Sequence, residues 1–298
     1  MEPINKDRVF LVSGTSTGLG LSIVKKLLDN NYKVAAFTRS KLIVENEIKK
    51  YYENNNEKNI DFKSSLLAVE VDITNQESVD LGVKETINKF GHFDVVINNA
   101  GYGQWGNIEE TNDKEARSIF DVNYFAILNI IRSTLPHLRT QKSGLVLNVS
   151  SILGHAPKGG FSSYVASKYA VTGLTLSLQQ ELAPFNISVV LLSPGGFRTD
   201  ITNKDKFKLI ENPILEYYPN STPQQSLDAF SDYINGSKGS PDKFANAILK
   251  LDEIHQQGKP LPSNIFFGSD AIEGGNHFLK SLIDEANQWK ELGLSTDL

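Results

Sequence analysis

Residues 9–30 read VFLVSGTSTGLGLSIVKKLLDN, and this stretch decides the fold. Its first five residues form a β-branched, apolar run suited to a buried strand. The end of the stretch, LSIVKKLLDN (21–30), has the apolar spacing of a helix. Between them stand Gly14, Gly18 and Gly20. Glycines here permit a tight turn, close approach of backbone to a pyrophosphate, and close packing of helix on strand. The N–H groups that open the helix then face the phosphates. No GK[ST] ending follows, so a nucleoside-triphosphate loop is not supported.

Outward from this unit the pattern repeats. KVAAF (33–37), LLAVEV (66–71), FDVVINN (93–99), LVLNVSS (145–151) and ISVVLLS (187–193) read as strands. Helical patterns fill 78–90, about 112–138 and 162–183. Residues 41–65 begin helical and pass through a polar Asn/Lys/Glu-rich tract at 49–59, read as a solvated helix end and loop. After Pro194 the rhythm breaks. Residues 198–240 carry Pro213, Pro219, Pro223 and several aromatics without clean periodicity, and read as a lid, centred on 200–240. A helix near 241–252, a strand at NIFFG (264–268) and a helix near 275–291 follow. Strands apolar throughout and alternating with helices imply a parallel sheet covered on both faces. The expected fold class is α/β: a single doubly wound domain over 1–298, with about seven strands, a core over 8–199 and an extension over 241–298.

Composition narrows the function. Net charge is −5 and pI about 5.6, which recommends neither nucleic acid nor an anionic membrane as partner. The start, MEPINKDR, is unlike a signal peptide, and no apolar run approaches the roughly 20 residues of a membrane span. A cytoplasmic protein is expected. The chain has no cysteine, which excludes disulfides, thiolate nucleophiles and cysteine-ligated metals. The five histidines (His92, His137, His155, His255, His277) are scattered, so no metal site is expected.

Residues 164–168 read YVASK. Four positions apart on a helix, Tyr164 and Lys168 share one face. A phenol titrates near 10, too high for base work at neutral pH. A cation about 5 Å away, at an effective dielectric near 20, contributes roughly 3 kcal/mol, or around two pKa units. Tyr164 is then poised to exchange a proton with an alcohol or carbonyl. Ala166, Ser167 and Ala170 keep that face open, whereas Tyr169 lies on another face and is expected to pack. A second donor at the substrate oxygen would come from Ser150 or Ser151, which end the fifth strand and point to opposite sides.

The glycine spacing is G-x-x-x-G-x-G, not G-x-G-x-x-G. Together with NNAG (98–101), Ser151, YVASK and PGGFRT (194–199), in this order, it makes the chain resemble the short-chain dehydrogenase/reductase family from about Arg8 to Thr199. Ser13-Gly14 stands where that family usually has Thr-Gly. GYGQWGNIEE (101–110), PGGFRTD (194–200) and GSDA (268–271) add a likeness to members with steroid-dehydrogenase-like sequences.

The resemblance implies a Rossmann fold and hydride transfer between NADP(H) and a carbonyl/hydroxyl pair. It makes Tyr164 the general acid/base and, by its position thirteen residues earlier and the following x-x-Gly, Ser151 the residue that orients the substrate oxygen. Lys168 would tune the tyrosine and hold the nicotinamide ribose. Asn123, in DVNYF, would interrupt its helix and support a water relay. For the cofactor it implies Gly14, Ser16, Thr17, Gly18, Leu19 and Gly20 at the pyrophosphate, Asp72 and Ile73 at the adenine, and Asn99, Ala100 and Gly101 at the ribose. Pro194, Gly195 and Phe197 would lie beside the ring and Thr199 at the carboxamide. After the second strand an NAD site wants a carboxylate. This chain has Thr38 and Arg39, suited to a 2′-phosphate, so NADP is favoured over NAD.

The aromatic and aliphatic lid residues Phe207, Leu209, Ile210, Ile214, Leu215, Tyr217, Tyr218, Phe230 and Tyr233, with Tyr102, Trp105, His155 and Phe161 near them, suit an apolar small-molecule substrate under a mobile cover. Apolar residues on several faces of helices 112–138 and 162–183 suggest a homodimer or homotetramer. Two other functions compete. A dinucleotide-sensing regulator would not need the tyrosine–serine pair. A nucleotide-sugar epimerase or dehydratase is disfavoured by the glycine spacing and the lack of a large C-terminal domain.

Overall fold

The computed structural model describes residues 5–54, 62–199, 207–220 and 222–298. The opening run becomes β1 (Val9–Ser13), buried along its whole length, and α1 (Gly18–Asp29). There follow β2 (Lys33–Thr38), α2 (Lys41–Asn54), the single turn α3 (Phe62–Ser65), β3 (Leu66–Glu70), α4 (Gln76–Phe90) and β4 (Val95–Asn98). The chain continues through β5 (Gly103–Trp105), α5 (Asp113–Phe120), α6 (Ala126–Gln141), β6 (Gly144–Val149), α7 (Ser162–Leu182) and β7 (Ile187–Pro194). It ends with β8 (Phe207–Leu209), α8 (Pro223–Asn235), α9 (Pro241–Gln256), β9 (Asn264–Phe267), α10 (Ser269–Gln288) and α11 (Lys290–Leu294).

Seven strands pair in parallel in the order β3-β2-β1-β4-β6-β7-β9, as the alternation of apolar strands and helices implies. Alternation along each strand feeds two cores. Phe10 and Val12 pack with Val24, Leu27, Ile48 and Ile248 on one face. Val9 and Leu11 pack with Val83, Ile130 and Val171 on the other. Both faces are covered, so the strands carry no polar alternation. The chain winds out from β1 to β3 and then returns to β4, which pairs with the other side of β1. That reversal opens a crevice at the carboxyl ends of β1 and β4, the place where such sheets bind ligands. Ser13 closes its floor: its hydroxyl accepts from the backbone N–H of Asn99 (3.1 Å) and Ala100 (3.2 Å).

The helix over 112–138 is interrupted at Asn123, as expected: a π-helical turn at Asp121–Phe125 separates α5 from α6. Three other local features differ from expectation. The last long helix starts at Ser269, not near 275, because Gly275 lets it lie directly on β9; a Cβ there would meet the Phe266 ring at 2.7 Å. β5 and β8 form a small parallel sheet, Gln104 opposite Lys208 and Trp105 opposite Leu209, which three-residue strands do not announce in sequence. The lid contains a regular helix, α8, whose signature was legible: Thr222 caps Gln225 N–H, and the Gln225 side chain returns the bond. Of the polar tract at 49–59, the first residues continue α2; residues 55–59 lie outside the described residues, as do 200–206 and 221 of the lid.

Candidate active site

A cavity of about 310 Å³ opens where the carboxyl ends of β1, β4, β6 and β7 meet. The glycine loop forms one end. Gly14 has φ +71°, and a Cβ there would lie 2.7 Å from Ala100 Cα; only glycine lets β1 leave the sheet this close to β4. Gly18 opens α1 with φ +60°, its bare Cα facing the Thr199 methyl. The N-cap residue Thr17 is extended, yet its side chain makes no capping bond, and its buried hydroxyl has no hydrogen-bond partner among the described residues. Unpaired N–H groups at a helix start and an orphaned hydroxyl beside a glycine cradle are the donor set a pyrophosphate fits. Thr17, Gly18, Leu19, Asn99 and Gly101 line this end of the cavity. Ser16, half-buried, and Gly20, buried, complete the turn.

The outlying cofactor candidates sit on the same sheet edge but do not line the cavity. Thr38 is buried, and its hydroxyl donates to the Ser40 carbonyl and accepts from the Ser40 N–H, both at 3.2 Å. Arg39 next to it is exposed. Asp72 accepts from the backbone and hydroxyl of Thr74 at 3.0 and 2.7 Å. The Ile73 carbonyl accepts from the Asn129 side chain.

Ser151, Tyr164 and Lys168 line the same cavity. Tyr164 and Lys168 share a face of α7, with the Lys168 Nζ 5.9 Å from the tyrosine ring centre. Lys168 is 4% exposed and donates to the Val149 carbonyl at 3.0 Å; burial pushes its pKa down to about 8. The phenol departs from expectation. Burial raises the Tyr164 pKa, and a hydrogen bond with Ser151 only partly opposes this. Desolvation of the phenolate sets the direction of the shift, opposite to the lowering expected from the lysine.

Ser150 and Ser151 part as alternation requires. Ser151 faces the cavity near Tyr164, its hydroxyl accepting from Leu153 N–H. Ser150 is buried behind it, donating to the Lys168 carbonyl at 3.0 Å, and so braces α7. A Cβ at Gly154 would strike that Ser150 hydroxyl at 2.5 Å, which explains the glycine three residues after Ser151. Asn123 lies in the π-helical turn and is fully buried. Its amide donates to the Tyr102 carbonyl and the Ser167 hydroxyl, and its oxygen accepts from Tyr102 N–H, all at 3.0 Å. Gly101 separates it from Lys168: a Cβ there would lie 3.0 Å from Asn123 Oδ1 and 3.4 Å from Lys168 Nζ.

Pro194, Gly195, Phe197 and Thr199 also line the cavity. Sequence reading assigned Asp270 no part here, although GSDA was noted. Its carboxylate accepts from Gly196 N–H at 2.7 Å and lines the cavity, and a Cβ on Gly195 would collide with it at 2.3 Å. The Pro-Gly-Gly turn is therefore held from α10, 74 residues on.

The lid residues divide. Phe230 and Ile234 line the cavity, and Phe230 packs on Phe161 (4.9 Å between ring centres) and Trp105 (5.9 Å). Leu215 and Tyr217 face solvent. The side chains of Phe207 and Tyr233 lie outside the described set. His155 does not join the lid: its ring bonds Ser193 at 2.9 Å and stacks edge-on against Phe266. Tyr169, expected to pack, is partly exposed and donates its hydroxyl to the His155 carbonyl. Hydrogen bonds join residues 211–218 of the lid to Glu109, Glu110 and Glu115. Glu109 accepts from the Tyr217 hydroxyl, Glu110 from Ile214 N–H and the Tyr218 hydroxyl, and Glu115 from Glu211 N–H, at 2.8–3.0 Å.

Among the described residues no group of His, Asp or Glu side chains is placed to hold a metal, and no helix is long and apolar enough to cross a membrane. The chain is 32% identical to the oxidoreductase BOA17 of Botryotinia fuckeliana over 97% of its length and 99% of that protein's. It is also 32% identical to the 3-oxoacyl-[acyl-carrier-protein] reductase of Staphylococcus aureus, over 69% of the chain and 81% of the reductase. Among solved structures, a short-chain dehydrogenase from Streptomyces avermitilis superposes with a TM-score of 0.82 at 30% identity, covering 97% of this chain and 100% of that one. A 3-ketoacyl-(acyl-carrier-protein) reductase from Brucella melitensis, solved with NADH, superposes with a TM-score of 0.67 at 26% identity over 87% and 95%. The short chain dehydrogenase model matches residues 8–208, most of the chain. With a glycine-lined phosphate cradle and a buried Ser–Tyr–Lys wall in one cavity, the chain belongs to the short-chain dehydrogenase family of NAD(P)-dependent oxidoreductases.

Proposed function

We propose that the protein is a cytoplasmic enzyme that interconverts a hydroxyl and a carbonyl group on an apolar small molecule, with NADP(H) as hydride partner. The observation that carries this reading is that Ser151, Tyr164 and Lys168 line the same cavity as Thr17 and Gly18. A phosphate cradle alone would bind a dinucleotide; a phenol and a hydroxyl beside it are groups that handle a substrate oxygen.

When bound, the nicotinamide supplies or accepts the hydride. The chain does the rest. Ser151 donates to the substrate oxygen and stabilises the charge that develops there. Tyr164 passes its hydroxyl proton to that oxygen in reduction and takes it back in oxidation. Its buried phenol, raised in pKa, is held protonated at neutral pH, the form that reduction requires. Lys168 orients the cofactor ribose and replenishes the proton, a task favoured by a pKa near neutrality. Asn123, locked by its three bonds, fixes the turn beside Lys168. Arg39 at the end of β2, where no carboxylate stands, supports NADP over NAD. Phe125, Tyr169 and Leu176, exposed on and beside α7, support self-association as a homodimer.

The test is Tyr164→Phe. Turnover of ketones with NADPH should fall by about two to four orders of magnitude, the range typical of losing a general acid. NADPH binding should persist. Undiminished turnover would overturn the assignment, and a monomeric mass at micromolar concentration would overturn the dimer.

A further inference from the structure

Resting on the hydroxyl/carbonyl reading of this cavity, we infer that the preferred substrates are amphipathic oxo acids, whose carboxylate is held by Lys158 at the cavity mouth while the carbonyl meets Ser151 and Tyr164. Among the described residues, the charged ones lining the cavity are Lys158, Lys168 and Asp270. Two of them are committed. Lys168 is buried and bonded to the Val149 carbonyl, and Asp270 holds Gly196 N–H. Lys158 is exposed on the loop between Ser151 and Tyr164, and among the described residues its ammonium has neither an ion pair nor a hydrogen bond. Among the described lining residues the uncommitted charge is therefore that of Lys158, and it is positive.

The loop presents that charge from a fixed place. Two residues after Lys158, Gly160 turns with φ +81° and its carbonyl accepts from Gly106 N–H at 2.8 Å. Phe161 is then fully buried against Trp105. The same lining includes the apolar side chains of Ile152, Leu153, Phe230 and Ile234. A second cation nearby, Lys208, does not line the cavity; its Nζ lies 4.6 Å over the Tyr102 ring. An apolar wall with a cation at its rim matches a molecule with an apolar body and an anionic end. In a half-enclosed apolar mouth an ion pair gains more than on an open surface, and salt weakens it.

The test compares γ-benzoylbutyrate with its methyl ester, each with NADPH, at low and high salt. The expected kcat/KM ratio of acid to ester is about five- to tenfold at low salt, shrinking as salt screens the pair. Lys158→Ala should bring the ratio near one, Lys158→Glu should invert it, and Lys158→Arg should keep it. A wild-type ratio near one, or an unchanged ratio in folded Lys158→Glu, overturns the inference while leaving hydride transfer standing. Turnover of neither ketone counts against the reaction itself. Calorimetric binding of the same pair to the NADP-loaded protein then decides the inference: tighter acid binding lost in Lys158→Glu supports it, and equal affinities overturn it.

Discussion

Tyr218 donates its hydroxyl to Glu110 Oε2 across 3.0 Å, joining segments 108 residues apart. Glu110 is 4% exposed and also accepts from the N–H groups of Ile214 and Asn107 and from the Asn107 amide. Burial alone would raise its pKa; these donors together outweigh it and hold the carboxyl below the usual 4.5. A carboxylate with a depressed folded pKa stabilises above its unfolded pKa, and the contribution is lost as pH falls through the folded one. Glu110→Gln should therefore cost about 1–3 kcal/mol at neutral pH, seen in denaturant midpoints. The gap from wild type should narrow below pH 4.5, and a gap constant with pH would exclude the carboxylate as the staple.

Arg39 should set the cofactor. Arg39→Asp places a carboxylate where NAD's ribose hydroxyl is read and repels a 2′-phosphate. The ratio of kcat/KM for NADPH over NADH should fall by about tenfold or more, since charge-assisted bonds to phosphate are among the stronger kind. Michaelis constants unmoved for both cofactors would remove Arg39 from that site.

Asp270 acts on the cavity through the Pro-Gly-Gly turn. Asp270→Ala frees Gly196 N–H and the space against Gly195. The expected result is a several-fold rise in KM for cofactor with a smaller change in kcat, and Asp270→Asn should recover part of it. A pure loss of thermal stability with unchanged KM would reduce the residue to a structural tie.

The opposite end of the sheet should report acid. His255 is held down to about 4 from 6.5, first by burial and then by the Arg8 charge. A histidine with a lowered folded pKa stays neutral while the unfolded chain binds a proton, so stability is full above 6.5 and falls as pH drops toward 4. Discounted for its partial exposure, the loss is about 1–2 kcal/mol. Asp252, raised by burial despite Arg8 at 2.7 Å, runs the other way at lower pH. His255→Gln should flatten the denaturant midpoint between pH 7 and 5, and an unchanged slope would assign the acid sensitivity elsewhere.

The amino-acid sequence by itself determined the doubly wound sheet and singled out the glycines, Ser151, Tyr164 and Lys168 that meet at the cavity. Strands covered on both faces are written as unbroken apolar runs, and the glycines, Ser151, Tyr164 and Lys168 are close to fixed local geometry: a strand end, a helix start, one helix face. The tertiary structure decided what depends on partners distant in the chain. Three-residue strands β5 and β8 carry no periodicity and exist only because Trp105 and Leu209 find each other. Asp270 and Glu110 look like surface acids until folding brings Gly196 and Tyr218 to them. Only the fold set the tyrosine's acidity, because desolvation depends on everything packed around the phenol, whereas spacing along α7 reports the lysine alone.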